Sequence, residues 1–160
     1  MNTNQFSKVK KVDDYRIELA AAASEFDDLF SEAKSEMVFY DWCLEILESY
    51  VGLYFAGIVG VFLFKIKPAS DEVDEWIWVV VGDLPPIYIT AEESPNAACA
   101  LDFYIGAMEE WVEAAASGES VEGLVPVNMP VTQESAQKLK VRFMMLDEEI
   151  LVNLKEDLEG

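Results

Sequence analysis

Apolar side chains in the first third of the chain recur at three- and four-residue intervals. Phe26, Leu29, Phe30 and Ala33 follow one another in this way, and Met37, Tyr40, Leu44 and Leu47 repeat the pattern. That spacing lines side chains up on one stripe of a helix. Two helices are therefore predicted between Asp13 and about Tyr50. The break between them is expected near Lys34 and Ser35, with Ser35 as N-cap of the second. Residues 1–12 are polar and read as a flexible arm.

The period then changes. Residues 55–66 are rich in Phe, Val and Ile, and residues 76–82 read WIWVVVG. Aromatic and β-branched runs suit a pleated, half-buried surface, so both are predicted strands. Residues 68–75 connect them as an antiparallel hairpin with an acidic tip. Gly82, Pro85 and Pro86 mark a turn, and residues 87–90 form a short third strand. The uncharged segment 49–64 has 16 residues and is interrupted by Gly52, Gly57 and Gly60. A spanning helix needs about 20 apolar residues. The segment reads as a helix end followed by a buried strand, and no membrane span is expected.

A helix with clear ends follows: Ser94 is placed to cap it, Pro95 stands at the first position and Gly118 lies just past the end. Its inward stripe is Leu101, Tyr104, Ile105, Met108, Val112 and Ala115. After a loop over 118–131, Thr132 caps a last helix running to about Leu154, with Leu139, Phe143, Leu146, Ile150 and Leu154 on one face. The predicted order is α-α-β-β-β-α-α. It corresponds to an α+β fold in one domain over 1–160, a central antiparallel meander of about three strands packed by two N-terminal and two C-terminal helices.

Both late helices carry apolar residues away from these stripes. Phe103 lies on the outer face of the first with Cys99, Gly106 and Glu110, and Val141, Met145 and Val152 lie on the far side of the last. A doubled stripe touches two things. The second contact is either the N-terminal helices or a homodimer or partner interface built from Phe103, Val141, Met145 and Val152.

Composition narrows the chemistry. The chain has 160 residues, 52% of them hydrophobic, which is too apolar for a disordered acidic tail. It has 31 acidic and 11 basic residues and no histidine, for a net charge of −20. Ser-His and Cys-His dyads and imidazole metal ligands are thereby excluded. Nucleic acid and anionic membrane are not expected partners, because the surface repels them. Cys43 and Cys99 form no CxxC pair and read as free thiols in a reducing compartment. Lys8, Lys10, Lys11 and Arg16 precede an alanine run, but Asp13, Asp14 and Glu18 break the apolar core of a signal peptide, so a cytoplasmic location is expected. No nucleotide-binding glycine motif occurs, and Gly118 to Gly123 is one residue too long for a GxSxG elbow. The acidic tip lacks EF-hand spacing. No cofactor or metal is expected.

Charge distribution says more than any motif. From Pro68 to Gln137 there are 70 residues without Lys or Arg, and they hold 14 acidic side chains. A salt-adapted acidic proteome and solubility are two sources of such charge, although solubility needs a magnitude of only about 2–8. Steering toward a basic protein is the third. The leading expectation is a non-enzymatic binding protein that engages a basic protein partner. The expected contact residues are Asp71, Glu72, Asp74, Glu75, Glu92, Glu93, Glu109, Glu110 and Glu113, with Trp76 or Phe103 as aromatic anchor. The alternative for Trp76 and Trp78 is packing on the sheet. Two other functions compete: a small enzyme or small-molecule-binding domain working through carboxylates, and a structural or assembly protein acting through the doubled helix faces.

In size, pI and mixed α+β layout, the chain resembles small acidic bacterial binding proteins. Immunity proteins that neutralise basic toxins are one such group, and type III secretion chaperones that hold unfolded cargo are another. The likeness extends over the whole chain as bulk properties and assigns a role to no residue.

Overall fold

The computed structural model describes residues 9–82, 84–124, 130–154 and 158. In chain order these form β1 (Lys10–Lys11), α1 (Val12–Leu19), α2 (Ala23–Val38), β2 (Cys43–Phe55), β3 (Val59–Pro68), β4 (Trp76–Gly82), β5 (Leu84–Thr90), α3 (Ala97–Ser117) and α4 (Gln133–Met145). The class is α+β as expected, but the sheet is larger. Its five strands lie in sequence order, each antiparallel to the next. The chain divides into two compact units, residues 1–100 and 101–160.

The apolar run in β4 is explained by its place in the sheet. Phe62 pairs with Val79 and Phe64 with Ile77 on one face, while Leu63 pairs with Trp78 on the other. The first face packs with Phe26, Ala33 and Met37 of α2 in the main core of this unit. Leu63, Trp76, Trp78, Val80 and Ile89, on the second face, are buried too. A strand covered on both sides is apolar at every position. The approach of α2 is close: a Cβ on Gly60 would lie 2.7 Å from Leu29 and 2.8 Å from the Phe62 ring.

The largest correction concerns residues 43–50, predicted as helix and found as the first half of β2. The pairing of β2 with β3 shifts register between Cys43 and Glu45, between Ile46 and Glu48, and between Val51 and Leu53. Each bulge adds one residue to the repeat. The inward positions thus become Cys43, Ile46 and Ser49, three apart, and Leu44 and Leu47 are exposed. Successive bulges gave a strand the spacing of a helix.

The N-terminal helices also differ from expectation. The break falls at the 3-10 turn Ala20–Ala22, and Ser35 lies inside α2. Ala20 carries a φ of +50° there. Arg16 braces the turn, donating from Nε and Nη2 to both oxygens of Asp27 at 2.5 and 3.0 Å. Part of the expected arm is structured: Lys10 and Lys11 pair with Val51 and Tyr50, and Val12 begins α1. Residues 1–8 lie outside the described residues, as does Asp83 in the expected turn.

Helix α3 has its predicted stripe fully buried, and Trp111 joins it. Its cap is Asn96 instead of Ser94: the Asn96 Oδ1 accepts the Cys99 N–H at 2.8 Å. Ser94 is turned to another task, its carbonyl accepting the Trp78 indole N–H at 2.8 Å. Gly118, at φ +72°, ends α3 as expected. Residues 125–129 of the following loop lie outside the described residues. Thr132 caps α4, its Oγ1 accepting from the Ser135 N–H. A π-helical turn (Leu146–Ile150) and a 3-10 turn (Leu151–Leu154) carry the last helix to its predicted end. Leu139, Phe143, Leu146 and Ile150 are buried along it, and Leu154, the last of the expected stripe, is half-buried.

Candidate functional site

The acidic side chains singled out by sequence fall on two surfaces, one in each unit. In the first unit, the connection from β3 to β4 carries Asp71, Glu72 and Glu75, all exposed. Asp74 is half-buried. Its Oδ1 accepts the Trp76 N–H at 2.9 Å and its Oδ2 the Glu92 N–H at 3.0 Å. This fork draws the loop after β5 to the hairpin tip, so exposed Glu92 and Glu93 join Asp71, Glu72 and Glu75. Trp76, expected as an anchor for this patch, is only 1% exposed. Its ring lies in the sheet beside Tyr50, at 6.0 Å between centroids, with Lys65 Nζ 5.7 Å over it.

The second surface belongs to the unit made by α3 and α4. Glu109, Glu110 and Glu113 are exposed on α3. Glu109 and Glu113 stand one turn apart and line a groove of about 850 Å³ between the two helices. Val112 and Ala116 of α3 and Ala136, Phe143 and Met144 of α4 supply its apolar lining, and Lys140 stands on the α4 side. At one end, the Gln133 side-chain amide donates to the Ala116 carbonyl at 3.2 Å, tying the start of α4 to the end of α3. Phe103, Val141 and Val152, expected in a dimer face, are 45%, 61% and 47% exposed, while Met145 is half-buried.

Two features of the first unit escaped the sequence reading. Glu25, Asp28 and Glu32 follow one face of α2 and line a groove of about 210 Å³ with Leu29, Ile58 and Gly57. Burial and the nearby Glu36 push the Glu32 carboxyl above its ordinary value. The i, i+3, i+7 spacing of these acids was visible once α2 was assigned. Tyr40, Trp42 and Tyr88 form an aromatic cluster with centroids 4.8 to 5.0 Å apart, and Phe39, 77% exposed, flanks it 5.3 Å from Tyr40. Its two halves lie far apart in sequence, and only the sheet joins them.

Burial pushes the Cys43 thiol up, the reverse of an activated nucleophile. The Glu48 carboxyl is lowered, chiefly because it accepts the Tyr50 hydroxyl at 2.5 Å, with Lys65 at 3.6 Å adding to the effect. Among the described residues, no three His, Cys, Asp or Glu side chains are arranged to hold a metal ion. No helix among them is long and apolar enough to cross a membrane. The chain matches no protein-family model, no curated protein and no solved structure.

Proposed function

We propose that this chain is a non-catalytic binding protein that engages a basic protein partner through its acidic surfaces. The observation that carries this reading is the pairing of charge with apolar surface on the second unit. Glu109 and Glu113, within a 70-residue stretch that holds no Lys or Arg, border a groove whose apolar residues come from both helices and whose far rim carries Lys140. Charge of this density repels itself and opposes folding, so a partner of opposite sign is what relieves it. A surface of one sign also steers an oppositely charged protein and raises its association rate. The hairpin patch of Asp71, Glu72, Glu75, Glu92 and Glu93 is a second acidic surface, carried by the first unit. In manner of action such a chain resembles inhibitors, immunity proteins and chaperones.

The test is capture of partners on the immobilised chain at low salt, repeated at high salt and with Glu109→Lys/Glu113→Lys. A basic protein retained at low salt, released by salt and bound more slowly by the charge-reversed chain is the expected result. A captured protein whose association rate is indifferent to both salt and charge reversal overturns the reading.

A further inference from the structure

We infer that the groove between α3 and α4 receives an amphipathic helix of the partner, basic along one flank only; this rests on the acidic-surface reading above. The groove runs between two helices whose ends are tied by the hydrogen bond from Gln133 to Ala116. At about 850 Å³ it is too large for one side chain and suits a row of them. A helix lays such a row into a groove at i, i+3, i+4 and i+7, burying its apolar stripe. Ala116 and Ala136 keep the floor shallow enough for a backbone to come near, and Met144 supplies a flexible, polarisable wall.

Charge selects the orientation. Glu109 and Glu113 stand about 6 Å apart along α3 at 1.5 Å rise per residue. That is the pitch at which Lys or Arg at i and i+4 of a docked helix stand. Among the described residues, neither carboxylate is in an ion pair. The opposite rim carries Lys140 and Gln137. A helix basic on both flanks therefore meets like charge on one side, whereas one basic flank turned toward α3 meets only carboxylates. An extended basic peptide satisfies the carboxylates but not the floor.

The experiment uses the full chain and two fluorescent synthetic peptides of about 18 residues with identical Leu, Ala, Gln and Lys content. One places Leu at i, i+3, i+4 and i+7 with Lys on one flank, and the other scrambles the order. Anisotropy titrations at low salt are expected to show the patterned peptide binding at least about tenfold more tightly. Glu109→Lys/Glu113→Lys, and separately Ala116→Trp, which fills the groove at an exposed position, are each expected to weaken it about tenfold. Circular dichroism confirms that the variants are folded, and Gln137→Trp on the opposite rim replaces Ala116→Trp if the latter is not. Equal binding of both peptides, or indifference to the groove-filling variants, overturns the helix-in-groove inference and leaves the acidic-surface reading standing. Absence of binding by either peptide overturns both.

Discussion

The Asp74 carboxylate accepts the backbone N–H of Glu92 at 3.0 Å, eighteen positions away, while its other oxygen holds the N–H of Trp76. A side chain expected to meet a partner thus joins the hairpin tip to the loop after β5. Asp74→Ala leaves two backbone donors without that acceptor and is expected to lower stability by about 1–2 kcal/mol. Asp71→Ala and Glu72→Ala, on exposed side chains, stay within about 0.5 kcal/mol. Urea denaturation of the three variants checks the ranking, and equal effects would remove the special role of Asp74.

Two glycines predict changes of opposite sign. Gly82 has φ +152°, and a Cβ there would collide with the Ile58 carbonyl oxygen and lie 2.9 Å from the Val59 Cα. Backbone cannot yield as a side-chain tip can, so Gly82→Ala is expected to cost about 2–4 kcal/mol. Gly106 stands exposed inside α3, and a Cβ added to it would meet nothing within 4 Å. Gly106→Ala is expected to raise stability by about 0.5–1 kcal/mol through helix propensity. Thermal melts of both variants decide the pair.

Tyrosine ionisation governs the alkaline limb. Burial first, then the hydrogen bond and charge of Glu48, push the Tyr50 hydroxyl from 10.0 up to about 12. The folded chain therefore keeps a proton that the unfolded chain releases. The stability this group contributes is fully present below pH 10 and is lost as pH rises through 12. Between these values the denaturation midpoint of Tyr50→Phe is expected to fall less steeply than that of the parent. Parallel slopes would disprove the linkage.

The bulged register of β2 makes its own prediction. Ile46 packs against the main core, whereas Leu44 and Leu47 are exposed. Ile46→Ala is expected to cost about 2 kcal/mol, and Leu44→Ala and Leu47→Ala less than about 0.5. The helical pattern read from sequence requires the reverse, with Leu44 and Leu47 in the buried stripe, so the three variants discriminate directly.

The acidic residues were legible as a charge pattern, and every expected contact carboxylate except Asp74 is exposed. Sequence could not tell that Asp74 is committed to backbone donors in another loop, nor that Trp76 is covered on the sheet. Both depend on partners remote in the chain. The groove between α3 and α4 was half legible, since Glu109 and Glu113 share a flank at helical spacing. Its apolar wall from α4 required the tertiary fold.

What the sequence by itself determined are the elements whose signals are local. The C-terminal end and buried stripe of α3 follow from Gly118 and from a 3.6-residue period, and the Thr132 cap and inner face of α4 follow in the same way. The runs of β3 and β4 follow from aromatic and β-branched composition. Tertiary structure alone decided β1, whose two lysines form a strand only because β2 lies beside them. It also decided β2, because a bulge is a relation between two strands and leaves in one sequence only a shifted period. Local periodicity is written in consecutive residues, whereas register, burial of a tryptophan and the partner of a carboxylate are properties of what the fold brings alongside.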